Sequence, residues 1–159
     1  MQTQFDHEKL DVYHLELQFI QWVTLLLDEV SQHPRTANVC DHLDRASLSA
    51  LLNMAEGNGK RQRPTRAKFL DDARGSATEC AACLDALVAK QGCAADRVRE
   101  GKELLIRIVS ILTKLVNMFS AQDQLREYGT PYGASEGEPM MSRHVEEEDE
   151  DDDEQENRK

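Results

Sequence analysis

The 159-residue sequence has no apolar run long enough to cross a bilayer. Its most hydrophobic window, "LELQFIQWVTLLLDEV", is interrupted by Glu16, Gln18 and Gln21. The opening "MQTQFDHEKLDVYHL" has no basic segment ahead of an apolar one, so no secretory leader is expected and the chain is assigned to the cytoplasm. In that compartment the four cysteines, Cys40, Cys80, Cys83 and Cys93, should stay reduced. Strand alternation is also missing, so the expected fold contains no sheet.

Several chemistries lack their residues. "EGNGKRQ" has neither the glycine-to-lysine spacing of a P-loop nor a strand before it, and a phosphate-cradling loop is excluded. The "CAAC" of Cys80 and Cys83 has no second pair, and Cys40 and Cys93 stand alone without nearby histidines, which excludes a zinc ribbon. Nor does "CAAC" begin a helix after a strand, where a redox thiolate is stabilised; packing is its expected role. A di-iron bundle needs Glu-x-x-His motifs and none occurs; His7, His14, His33, His42 and His144 fall at helix ends, on wet strips or in the tail. No serine, histidine and acid can be grouped by spacing, since Ser47 and Ser49 sit in a small-residue packing zone. The expectation is a non-enzymatic protein with no catalytic residue, metal, cofactor or small-molecule substrate.

What the sequence does contain is helical periodicity in four segments. The first runs from about Asp6 to Ser31, with Val12, Leu15, Phe19, Trp22, Val23, Leu26 and Val30 on one stripe. The second spans about Asn38 to Glu56 and is expected to end at Gly57 as a left-handed cap. The third starts near Pro64, suited to a first turn, and runs to about Lys90; its inner face is Phe69, Leu70, Ala73, Ala77, Cys80, Leu84, Leu87 and Val88. The fourth covers about Ala94 to Ala121, with Val98, Leu105, Val109, Leu112, Val116 and Phe119 inward. Short connections make consecutive helices antiparallel, which predicts an all-α, up-down-up-down four-helix bundle over residues 1–123. Ala46, Ser47 and Ala50 facing Ala73, Gly75, Ser76 and Ala77 make the second and third helices the expected tightest pair.

Charge is divided unevenly. Residues 1–127 hold 18 acids and 16 bases, a net of −2; residues 128–159 hold 12 acids and 3 bases, a net of −9. "EEEDEDDDEQE" has nothing to bury and repels itself, so 124–159 is expected to be a disordered acidic tail.

Three features of the body invite function. Lys60, Arg61, Arg63, Arg66 and Lys68 put five cations into nine residues at a bundle corner. They suit phosphate contacts to RNA or DNA, and equally a solvated turn or an acidic protein partner. No aromatic sits beside the cluster for base stacking, so sequence-specific reading of a single strand is not expected. Leu48 and Leu52, and Leu104, Ile111, Leu115 and Met118, form second apolar stripes on the second and fourth helices, which points to subunit contacts and a homo-oligomer. Glu16 projects from the apolar face of the first helix, where a carboxylate needs a partner; Arg45 and Arg74 are the candidates, and a partly wet subunit seam is the alternative.

"LDVYHLELQF", "LDRASLSALLNMAEGNGKR" and "RAKFLDDARGSATECAACLDAL" together resemble the four-helix-bundle proteins encoded in intervening sequences of bacterial 23S ribosomal RNA genes. Relatives of that family include the accessory protein of diversity-generating retroelements, and the resemblance covers about residues 6 to 120. It implies a four-helix protomer in a ring-like pentamer and no enzymatic activity. The retroelement relatives are basic and are held to bind RNA and a reverse transcriptase, whereas this body is near neutral and carries an acidic tail. By the resemblance, Arg45, Glu56, Gly57, Arg74, Gly75 and Glu79 are structural motif residues. The functional expectation is a scaffold that binds structured RNA or nucleoprotein through the Lys60–Lys68 turn. The alternative is a protein–protein adaptor that uses the surplus apolar faces or the tail.

Overall fold

The computed structural model describes residues 4–127 other than His33, with side chains through Ser120. A 3-10 turn, Asp6–Lys9, precedes four helices: α1 (Asp11–Val30), α2 (Ala37–Gly59), α3 (Arg63–Ala89) and α4 (Ala95–Glu127). There is no strand among the described residues. Each helix packs on its neighbours in order and α4 closes back on α1, giving a four-helix bundle in which the backbones of diagonal helices stay apart. No helix among the described residues is long and apolar enough to cross a membrane.

Three boundaries differ from expectation. The first segment is not one helix: Leu10 is extended, and the turn before it is held by Glu8, whose carboxylate accepts the Phe5 N–H at 2.6 Å. The second helix continues through Gly57 and ends at Gly59, and no glycine among the described residues has positive φ. Gly57 is therefore not a left-handed cap. It is buried against α3, where an added Cβ would stand 2.9 Å from Phe69 Cβ; the glycine permits close helix approach. Finally, α4 extends through Glu127, across the expected domain boundary at residue 123. The expected tail from residue 128 onward lies outside the described residues.

Sequence period and burial agree closely. The inner face of α1 is Val12, Leu15, Phe19, Trp22, Val23, Leu26 and Val30, all buried. In α4 the buried apolar residues are Val98, Leu105, Ile108 and Leu112, while Val109, Val116 and Phe119 only border the core. Phe69 and Val88 of α3 are likewise half-buried. The α2–α3 interface is the most extensive of the four. It is lined by Ala46, Ala50, Ala73 and Ala77, with the Ser49 and Ser76 hydroxyls 3.0 Å apart. Small side chains bring backbones together here, whereas Phe19, Trp22 and Leu26 hold α1 further out.

At the end opposite the cationic turn, buried Thr36 donates its hydroxyl to the Val30 carbonyl at 2.9 Å. The α3–α4 turn packs against it: Gly92 has no room for a Cβ, which would fall 2.6 Å from Thr36 Cγ2. Gln91, at φ 61°, takes the left-handed position that closes α3, with Gly92 N–H reaching the Leu87 carbonyl and Gln91 N–H the Val88 carbonyl. Arg97 clamps α4 to α1 through two hydrogen bonds to Glu29, at 2.7 and 2.8 Å. That contact holds the Glu29 carboxyl below the usual range.

Candidate nucleic-acid interface

Antiparallel topology brings the α2–α3 turn and the C-terminal half of α4 to the same end of the bundle. The five cations converge there, but they are not equivalent. Arg66 closes α2: its Nε donates to the Lys60 carbonyl at 3.0 Å and its Nη2 to the Asn58 carbonyl at 2.9 Å. These are end-of-helix carbonyls that no intrahelical N–H reaches. Arg63 crosses to α4 and donates to the Met118 carbonyl at 2.8 Å. Both guanidinium groups lie 4.9 Å from the centre of the Phe119 ring. Two of the five cations thus tie α2, α3 and α4 together.

The other three are more open. Lys60 pairs with Glu56 at 2.8 Å and sits 4.7 Å from the Phe69 ring centre. The Lys68 side chain is 75% exposed, 3.7 Å from Asp72 and 5.8 Å from the Phe69 ring centre. Arg61 is exposed, and no ion pair of it occurs among the described residues. The cluster therefore has aromatic neighbours after all. Phe69 lies next to Lys68 in sequence, and Phe119 arrives from a helix more than fifty residues away. Both are half-buried and covered by cations, which makes them supports for the charges first. Beside them a shallow groove of about 380 Å³ runs between α3 and α4, lined by Pro64, Ala67, Lys68, Asp71, Val116 and Ser120.

The motif residues divide in the same way. Arg45 and Glu79 meet on the α2–α3 surface through His42, whose Nδ1 is 3.5 Å from Arg45 Nη2 and 3.8 Å from Glu79 Oε1. Arg74 donates to Asp71 at 2.7 Å on its own helix. Exposed pairs of this kind contribute about 0–1 kcal/mol each. Gly75 is exposed, and an added Cβ there would meet nothing; the fold gives no reason for that glycine.

Glu16 overturns its expectation. It is 2% exposed, and neither carboxyl oxygen has a hydrogen-bond partner. The pair with Arg45 or Arg74 does not form, because both arginines are engaged on the surface, and burial excludes the partly wet seam within this chain. Burial alone pushes the Glu16 carboxyl up to about 8, so it is uncharged at neutral pH. Cys80 on α3 feels it, but that thiol is itself pushed up to about 12 by burial and carries no charge either. Burial also raises Cys40, Cys83 and Cys93, so no reactive thiolate arises from these thiols. Among the described residues no three of His, Cys, Asp and Glu gather as a metal site.

The surplus apolar residues are partly real. Leu48 and Leu52 on α2 are 51% and 57% exposed, and Met118 on α4 is 52% exposed. Leu104, Ile111 and Leu115 instead lean on the bundle's own core. Leu25 and Ile106, which the period alone did not single out, are exposed as well.

Compared with known proteins, the chain is matched over residues 8–114 by the sequence model of one family, described as 23S rRNA-intervening sequence protein. No curated protein matches it.

Proposed function

The chain belongs to the 23S rRNA-intervening sequence protein family, and from that premise we propose that it is a non-enzymatic, self-associating scaffold that contacts structured RNA at the α2–α3 corner. The observation that carries this reading is the division among the five cations. Arg63 and Arg66 build the corner, Arg61 and Lys68 are left exposed on it, and Lys60 stands half-buried beside them, paired with Glu56. Such a patch recognises phosphates by charge and position, without base edges, and repetition around an oligomer would multiply it.

The test is binding of the full chain to a structured RNA across a salt series. Replacing Arg61 and Lys68 by Gln should weaken binding about tenfold near 0.1 M salt and flatten the dependence of log K on log salt by one to two units. Unchanged affinity and slope would remove the corner from the account. Replacing Arg63 or Arg66 would be uninformative, since each also holds helices together.

A second reading has its own observation, the exposed Leu48 and Leu52 on α2. These suit contact with another polypeptide, a second copy of this chain first of all. Changing both to Glu should lower the mass in solution measured by light scattering. An oligomer that survives the double change would place its interface elsewhere, and a chain that is monomeric before any change would favour an adaptor for a different protein.

A further inference from the structure

We propose that the acidic run Glu146–Glu154 of the chain's own C-terminal segment docks on the cationic corner formed by Lys60, Arg61 and Lys68. Three observations lead there. The first is complementarity: nine consecutive acids follow in the sequence, while the body's densest cationic stretch holds five bases in nine residues. Elsewhere the body's cations stand singly along the helices, several of them paired with an acid, as in Arg74–Asp71, Arg97–Glu29, Arg99–Asp96 and Lys102–Asp85; at the corner Lys60 and Lys68 meet Glu56 and Asp72, and the surplus is one of density.

The second is where the chain leaves the bundle. Arg63 bonds the Met118 carbonyl, and Arg63 and Arg66 cover Phe119, so α4 is fastened to the corner eight residues before its end. From Phe119 to the last described residue, Glu127, the helix advances only about 12 Å. The third is reach. Residues 128–145 separate α4 from the acidic run, and a chain of that length spans up to about 60 Å when extended. The run can therefore return to a corner about 12 Å away several times over. Tethering also raises its local concentration to the millimolar range typical of short linkers, an advantage no free polyanion shares.

Arg61 and Lys68 are the natural receivers, Arg61 without an ion pair among the described residues and Lys68 with only the 3.7 Å approach of Asp72. Lys60 would exchange Glu56 for the tail in part. Because the contact is many weak charge pairs rather than one buried one, it should be steeply salt-dependent. The consequence is a corner that is masked by its own chain unless a stronger polyanion displaces the tail. That polyanion need not be RNA.

A zero-length carbodiimide joins lysine amines to carboxylates only where the two touch. Applied to the full chain, it should link Lys60 and Lys68 to peptides containing 146–154, with little linking of Lys90 or Lys102 to the same peptides. Raising salt from about 20 mM to about 0.5 M, which shortens the screening length from roughly 20 Å to about 4 Å, should reduce those links about tenfold. Mixing light and heavy nitrogen-labelled chains should leave the links within one label. Links spread evenly over all lysines, links insensitive to salt, or links between labels would each overturn the proposal. The contact reads out separately from nucleic-acid binding: links that persist under excess transfer RNA keep the tail on the corner and remove RNA from it.

Discussion

Replacing Glu16 by Met is expected to raise stability at pH 7 by about 3 kcal/mol, about 10 °C in Tm, and to abolish most of the loss of stability between pH 5 and 8. The carboxyl ordinarily titrates at 4.5, and burial moves it to about 8 in the folded chain. Between those values the unfolded chain has released the proton and the folded one retains it. The proton difference, unfolded minus folded, is then −1, and stability falls by about 1.4 kcal/mol per pH unit. The penalty is absent below about pH 4.5, reaches about 3 kcal/mol at pH 7, and levels off near 5 kcal/mol above pH 8. Methionine has similar length and no ionisation, and its thioether adapts to an irregular space. The measurement is urea unfolding of both chains at pH 5, 7 and 8.5. The difference between the two curves isolates residue 16 from every other titrating group. A difference that does not vary with pH, or a variant less stable at pH 7, would mean that Glu16 has a charge partner the structure does not show.

Glu16 also marks how far the sequence could be read. Its position on the inner face followed from the spacing Val12, Glu16, Phe19, Val23, because helix geometry maps sequence onto angle directly. Its partner did not follow, because which arginine reaches a buried acid depends on contacts between helices. Arg74 is taken by Asp71 one turn away and Arg45 by His42 on the same helix, so local competitors won. Gly57 shows the same limit. A glycine near a helix end reads as a cap, yet helix α2 continues past it, and the residue is glycine because a Cβ there would strike Phe69 of α3.

The cationic corner was legible as a cluster and illegible as a mechanism. Density of charge is a property of sequence, and the fold keeps all five cations at one end of the bundle. That Arg63 and Arg66 hold Phe119 and the free carbonyls of α2 required the fold, although up-down topology does place the end of α4 beside the α2–α3 turn. Five candidate phosphate contacts thereby become three. Fewer contacts mean a shallower salt dependence for any phosphate binding at this corner than five cations would give.

Gly101, in contrast, carried a signal that the helical period ignores. A glycine in mid-helix costs about 1 kcal/mol relative to alanine and needs a reason. Here the reason is Trp22: a Cβ on residue 101 would fall 2.1, 2.3 and 2.7 Å from three atoms of the indole. The ring has little freedom to retreat, being 8% exposed, stacked on Phe19 with centroids 5.9 Å apart, and covered by Arg97. Gly101→Ala must therefore push α4 off α1, breaking the Arg97–Glu29 clamp beside it. Overpacking of this kind costs up to about 3 kcal/mol or somewhat more, and the gain in helix propensity offsets only about 1. A net loss of about 2 kcal/mol is expected in urea unfolding. Gly75→Ala supplies the opposite sign: with open space around it, the same change in α3 should stabilise by about 0.5–1 kcal/mol. Shrinking the ring in the Gly101→Ala background, by Trp22→Leu, should recover part of the loss, so that the double change costs less than the two single changes added. Additive losses would show that the indole and residue 101 are not in contact, and that something else sets the spacing of α1 and α4.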